Sequence, residues 1–482
     1  MRLPLGPGLL PLSLLLVCSC ARNPVTGKRE LAIGEDKELA LGAQNHPAIL
    51  AQMGVYQDED LDALLQRLGT RMAAESHRPE LDWTFTIVDS DVVNAFAVPG
   101  GYVYFTRGIL AHFNNEAEFA GVLGHEIGHV TARHSARQLR KQQLAQVGML
   151  AGALASNTVR QNFDAVSQGM QLLFLKYGRD AESESDALGV EYSSQLGYDA
   201  TYMAGFFRTI DRLQARSGQE IPDFLSTHPD PLNREARVRA LAREWQQKLP
   251  GEQDDVNREA YLRLIDGIIY GEDPAQGFTE NGTFYHPVLK FSFGIPRGWQ
   301  VVNAPTQVQM GSPQGDAVVT FALSQADDPE AAAQAWLAAN QVQAQRSGAE
   351  TLNGQPAYRI EGVATTGQPG GQQQQLAWTV TFVELDGQVY SFTGLTPAAR
   401  ARANASALLR PSNTFGVLTD RRYLDRRPER VRIRAVTSAT TLREFLLANG
   451  TDGGRLDELA ILNGMPLDAA LRAGDLVKVV GT

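Results

Sequence analysis

The stretch FAGVLGHEIGHVTARHSA, residues 119–136, constrains the fold of this 482-residue chain more than any other. Nine of its first twelve residues are apolar or glycine, so a helix there is expected to be buried. That helix carries His125, Glu126 and His129 into the interior, and burying such groups without partners is costly. His125 and His129 lie four residues apart, project from one side of a helix and can reach a single ion, with Glu126 beside a water on that ion. The remaining ligands must come from elsewhere in the chain.

A catalytic zinc takes three protein ligands and keeps one position for water. His134 fails as the third, because it lies nine residues after His125. At about 100° per residue a continuous helix points it to the opposite side. It is read as structural, or as a support standing behind the ligands rather than one of them. Both cysteines, Cys18 and Cys20, lie in the N-terminal segment, which leaves the rest of the chain without thiolate ligands or disulfides. Any metal site is therefore built from histidines and carboxylates. RDAESESDALG (179–189) supplies Glu182 and Asp186, four apart on one helix face. Glu184 and Glu191 compete with Glu182, but Glu184 has Leu188 rather than an acid four residues on. Arg179 is available to pair with one of these carboxylates.

Along the chain, residues 30–75 read as helical, with Leu61, Leu64, Leu65 and Leu68 at helical spacing. LDWTFTIVDS (81–90) alternates like a strand, and NAFAVPGGYVYFTRGIL (94–110) reads as a hairpin turning at Gly100-Gly101. Helix is expected from about Glu116 through the histidines, from Asp180 to Leu196, and onward to about Leu249. Residues 140–176 suggest an amphipathic helix or lid, since VGMLAGALA is shorter than the roughly 18 residues a membrane span needs. From 284 to 395, short β-like runs alternate with turn signals at Asn353-Gly354 and Asp386-Gly387. GQPGGQQQQ (367–375) reads as a flexible loop, and His286 as structural. After an Arg-rich linker, 421–434, the chain ends in a strand-and-helix unit.

HEIGH followed some fifty residues later by E-x-x-x-D resembles the zinc metallopeptidase family of HtpX, BepA and the CAAX prenyl proteases. NPVTGKREL (23–31), NAFAVPGGYVYFTRGIL and STHPDPLNR (226–234) resemble its bacterial periplasmic branch, so the likeness runs over about residues 23–245. Ser185 departs from the family's usual Ala. The resemblance implies one Zn2+ per chain held by His125, His129 and Glu182, with Glu126 as general base. Asp186 would hydrogen-bond the far nitrogen of a zinc-binding His. The strand Asn94, Ala95, Phe96 and Ala97 would hold an extended substrate by its edge. Three roles stay open for His228: oxyanion stabiliser, fourth ligand in a latent state, or a support for a Pro-rich turn. The C-terminal stretch, with LAILNG (459–464) and AGDL (473–476), resembles a LysM module, a type that commonly binds peptidoglycan.

The expected fold class is therefore α+β and multidomain. A signal peptide (1–19) precedes a mainly helical gluzincin-type metallopeptidase domain with a small edge β-sheet (20–250). An α+β domain (275–400) and a LysM-like βαα(β) unit (428–482) follow. The apolar run ending Val17-Cys18-Ser19-Cys20 resembles a lipobox, with Cys20 lipidated and Ala21 favouring the outer membrane of a bacterial periplasm. Lipid would be the sole membrane attachment. A net charge of −10 without clustered Lys or Arg argues against nucleic acid. The expected function is an endopeptidase for unfolded or misassembled envelope proteins. Two alternatives are an assembly factor or chaperone with a latent protease site, and a peptidoglycan peptidase.

Overall fold

The computed structural model describes residues 20–142, 177–217, 224, 227–228, 233–249, 254–366 and 374–482. The leader, most of the 140–176 stretch and the loop 367–373 lie outside the described residues, whereas Gln374 and Gln375 open a strand. No helix among the described residues is long and apolar enough to cross a membrane.

The helical stretch near the N-terminus is two helices, Glu35–Met53 and Glu59–Ala74. They part at Gly54, whose φ of 69° suits glycine. Asp58 caps the second, accepting from the Leu61 amide at 3.0 Å, and Leu61, Leu64, Leu65 and Leu68 are its buried stripe. Three strands follow. Tyr102–Thr106 is central, parallel to Thr84–Val88 and antiparallel to Ala95–Val98 across Gly100-Gly101. Ala95–Val98 is thus an edge strand.

The histidine helix, Glu116–Thr131, is capped by Asn115 and buried along its whole length. It does not run on through His134. Ala132 and Arg133 form a turn, Arg133 takes a left-handed φ of 57°, and residues 134–142 resume helix in a new direction. The break is fixed by tertiary contacts that a local reading cannot see. Arg133 donates to Glu38 at 2.7 Å and to the Ile33 carbonyl at 2.9 Å, and Arg78 donates to the same Glu38 at 2.8 Å.

The glutamate helix, Arg179–Gln195, lies directly on the histidine helix. A Cβ added to Gly124 would sit 3.0 Å from the Gly189 Cα, and one on Gly128 would sit 3.0 Å from the Leu188 Cβ. Small residues at i and i+4 on both helices let the backbones meet. That contact brings Glu182 and Asp186 level with His125 and His129.

Residues 278–418 build a second, β-rich core around Phe291, Phe293, Phe321, Tyr390, Phe392 and Phe415. Its main sheet has seven antiparallel strands between Gln300 and Pro397. Asn353-Gly354 and Asp386-Gly387 turn two of its hairpins with both residues at positive φ, as a type I′ turn requires. His286 accepts from the Leu289 amide at 3.2 Å and shapes a turn.

The C-terminal unit runs strand Glu429–Ala435, helices Leu442–Ala448 and Leu456–Leu462, and strand Leu476–Gly481, with the two strands antiparallel. Its Leu442, Leu446, Leu459, Leu462 and Val477 belong to the same apolar core as the histidine helix. Lys478 is buried at that junction, its Nζ donating to the carbonyls of Ala111, Phe113 and Leu462 at 2.8, 2.6 and 3.1 Å.

Candidate metal centre

Four buried residues converge between the two close-packed helices: His125, His129, Glu182 and His228. His125 Nε2 lies 3.0 Å from His129 Nε2, 3.3 Å from His228 Nδ1 and 3.4 Å from Glu182 Oε2. Glu182 Oε1 lies 3.4 Å from His129 Nε2 and 3.3 Å from His228 Nδ1. Tetrahedral bonds of about 2.0–2.1 Å give ligand–ligand edges of roughly 3.3–3.4 Å, so the donor atoms are spaced to fit a zinc-sized cation. The donor set, three imidazoles and a carboxylate, fits as well. Of the three roles left open for His228, the structure brings its Nδ1 into the cluster, where Phe224 stacks on its ring at 4.6 Å.

Glu126 lies fully buried beside this cluster, 3.6 Å from His228 Nε2, and neither carboxylate oxygen has a hydrogen-bond partner. Burial pushes its carboxyl above the usual range, with His228 and His125 opposing. A buried carboxyl without partners is a group awaiting one. Burial alone would also raise Glu182, but His228, His129 and His125 overcome it and hold that carboxyl well below the usual range.

Asp186 sits behind His125, its Oδ1 3.0 Å from Nδ1. Burial would raise Asp186, yet Arg234 and His125 keep it low. Arg234 grips it through Nε at 3.1 Å to both oxygens and Nη2 at 2.7 Å, and Arg237 adds a bond of 2.7 Å. Arg179, expected to serve here, is exposed and makes no ion pair with Glu182 or Asp186. The residue that does, Arg234, closes the STHPDPLNR stretch.

His134 stands outside the ligand cluster and behind His129. Because the helix breaks at Arg133, its Nδ1 reaches His129 Nδ1 at 2.9 Å, on the side facing away from the cluster. Its Nε2 lies 2.9 Å from Glu184 Oε2. Glu184 thus stands outside the cluster and contacts His134 and Arg137 instead. Burial would raise the Glu184 carboxyl, but hydrogen bonds from His134 and Arg137 bring it down to about 2. The sequence signals missed were the paired small residues Gly124/Gly128 and Ser185/Gly189. They mark a close helix contact.

The edge strand borders the site. Thr106 N donates to Asn94 O, so residues 94, 96 and 98 face the central strand, and the backbone groups of Ala95 and Ala97 face outward. Their carbonyls are met by His228 Nε2 and Tyr177 Oη, each at 3.4 Å. Tyr177 also stacks on the His129 ring at 4.0 Å. Asn94 and Phe96 turn their backbone groups toward the central strand instead.

Comparison with known proteins agrees with this geometry. Residues 59–242 match the model of peptidase family M48. Over 215 residues the chain is 32% identical to the beta-barrel assembly-enhancing protease of Yersinia pestis, covering 42% of this chain and 44% of that one. Over 225 residues it is 29% identical to the Escherichia coli (strain K12) protein of the same name, covering 44% and 45%. Over 167 residues it is 34% identical to the mitochondrial metalloendopeptidase OMA1 of Arabidopsis thaliana, covering 34% and 32%. The chain spans about half the length or less of these curated relatives. The matched segment contains His125, His129 and Glu182, with His228 and the two arginines behind Asp186. Residues 59–242 are therefore a peptidase family M48 domain, a metallopeptidase module whose family implies a divalent cation, and the His/Glu cluster could hold one.

Proposed function

We propose that this chain is a zinc-dependent endopeptidase that cleaves unfolded or misassembled envelope proteins in the bacterial periplasm. The observation that carries the reading is the buried cluster of His125, His129, Glu182 and His228 at zinc spacing, with the partnerless carboxyl of Glu126 beside it. The names of the matched relatives, which refer to β-barrel assembly, support an envelope substrate.

In this reading His125, His129 and Glu182 hold the cation, and Asp186 fixes the tautomer of His125. The bound cation supplies Lewis acidity toward a carbonyl and lowers the pKa of water. Glu126, raised by burial, takes the proton of the attacking water and returns it to the leaving amine. The outward backbone groups of Ala95 and Ala97 hold the substrate backbone as an added strand. Such pairing reads backbone rather than side chains, which suits unfolded chains.

One observation favours a closed resting state of the same site. His228 Nδ1 stands 3.3 Å from Glu182 Oε1 as a fourth donor beside the three that would hold the cation, and together with Tyr177 it meets the strand edge a substrate would use. Opening then requires the His228 segment to withdraw. The lipid anchor at Cys20, an outer-membrane location and peptidoglycan binding by the C-terminal unit are parts of the proposal that rest on sequence resemblance. Digestion of casein, of an unfolded outer-membrane protein and of purified peptidoglycan, each with and without chelator, tests the substrate class. Chelator-sensitive cleavage of the two proteins supports it; release of peptides from peptidoglycan alone replaces it with a wall peptidase.

A further inference from the structure

The two histidines of the helix are supported differently at the nitrogens that face away from the cluster. His125 Nδ1 lies 3.0 Å from a carboxylate oxygen, Asp186 Oδ1, without the angular geometry of a hydrogen bond. His129 Nδ1 meets another imidazole, His134 Nδ1, at 2.9 Å. Two ring nitrogens at that distance share one proton, so one donates and the other accepts. His129 must present a bare Nε2 to a cation, which puts its proton on Nδ1 and makes His134 Nδ1 the acceptor. His134 then carries its own proton on Nε2, 2.9 Å from the Glu184 carboxylate. Every link has a single consistent proton assignment.

We propose that His134 and Glu184 are positioning residues for the cation, a histidine–carboxylate pair that holds the tautomer and ring orientation of His129 from behind, as the place of Asp186 behind His125 suits it to do for that ring. The inference rests on the metallopeptidase reading of the cluster.

The pair is itself held. Glu184 Oε2 accepts from Arg137 Nη2 at 2.9 Å, and Arg137 Nη1 lies 3.0 Å from Glu30 Oε2. Glu30 in turn accepts from the Asn23 side chain at 3.3 Å, so the NPVTGKREL stretch terminates the chain of contacts. Ser185 Oγ, 3.2 Å from His134 Nδ1, offers the same lone pair a second donor. That contact gives the serine in place of the family's usual alanine a partner. The arrangement depends on the left-handed turn at Arg133, which swings His134 back beneath His129. His134 is 2% exposed, too buried to be a surface histidine that happens to lie nearby.

Zinc affinity of the purified full chain, measured by chelator competition, tests the proposal, with the visible spectrum of the cobalt-substituted protein as a second readout. His134→Phe keeps the ring volume and removes the acceptor; Glu184→Gln removes the carboxylate at a partly exposed position. His134→Asn places an amide oxygen where Nδ1 stands. We expect affinity to fall about tenfold or more in His134→Phe and by a smaller factor in Glu184→Gln. The cobalt spectrum should shift, and His134→Asn should recover most of the loss. Asp186→Asn serves as the positive control. If Asp186→Asn loses affinity while His134→Phe and Glu184→Gln stay within twofold of the parent, the proposal is overturned and the metallopeptidase reading stands. Equal losses in His134→Phe and His134→Asn also overturn it, by showing that ring packing alone is required. Should the parent bind no zinc that His125→Ala abolishes, the reading beneath it fails instead. Melting of the metal-free variants confirms that each is folded, and Glu184→Gln decides the matter if His134→Phe is not.

Discussion

Replacing Lys478 by Met isolates one buried amine that ties the C-terminal unit to the metallopeptidase core. The stem stays and fills its space, so little cavity forms. What is lost is the set of three bonds from Nζ to the carbonyls of Ala111, Phe113 and Leu462, at 2.8, 2.6 and 3.1 Å. Three carbonyls converge on Nζ, and burial pulls the pKa of the amine well below the lysine range against the opposing Glu118. Three buried carbonyls lose their donor at about 1–3 kcal/mol each, and relief of the amine's desolvation offsets part of this, which leaves about 3–5 kcal/mol. For a cooperative unit of this size each kcal/mol shifts Tm by about 2–4 °C, which gives a fall of roughly 6–20 °C. Calorimetry of Lys478→Met should show that fall in the transition that also releases the bound metal, because one core joins the two segments. A drop under about 3 °C, or separate melting of the C-terminal unit with metal retained, would refute the reasoning.

Three further outcomes follow from other parts of the molecule. Burial pulls the His112 imidazole down to about 4, with the Gly108 carbonyl opposing, so the folded state prefers it neutral. Its contribution is complete above the unfolded pKa near 6.5 and is lost as pH falls toward 4, costing about 2 kcal/mol between pH 7 and pH 5. His112→Gln should flatten that part of the Tm-against-pH curve, and an unchanged slope counts against the assignment. Gly128→Val places side-chain atoms where even a Cβ would sit 3.0 Å from the Leu188 Cβ. It should destabilise by about 1–3 kcal/mol and lower bound zinc well below one per chain; full zinc loading would show that the helix contact does not set the site. Arg234→Met leaves Asp186 short of its main partner and is expected to weaken zinc binding by about tenfold, read by chelator competition.

Much of the site was legible because its pieces are local. Apolar flanks around HEIGH imply a buried helix, and four-residue spacing puts two imidazoles on one side of it. Glu182 and Asp186 obey the same spacing, and the Gly100-Gly101 hairpin and the Asp386-Gly387 turn follow from which residues accept positive φ. The part that was not legible depends on partners distant in sequence. The helix ends at Thr131 because Arg133 is held by Glu38 and Ile33 from near the N-terminus, and that break turns His134 from the far side of a helix into a support for His129. Arg234 rather than Arg179 holds Asp186 because the chain returns from beyond the glutamate helix. Nothing local marks Lys478 as interior, and only the docked carbonyls of Ala111 and Phe113 reveal it.

The central claim, that a cation held by His125, His129 and Glu182 works with Glu126 as base, is tested most directly by one paired assay on the parent chain and Glu126→Gln. Zinc content by atomic absorption and casein digestion are measured on the same samples. The account predicts about one zinc per chain in both proteins, chelator-sensitive digestion by the parent, and loss of digestion in the variant by about a hundredfold or more. A zinc-loaded Glu126→Gln that digests casein at the parent's rate would contradict it.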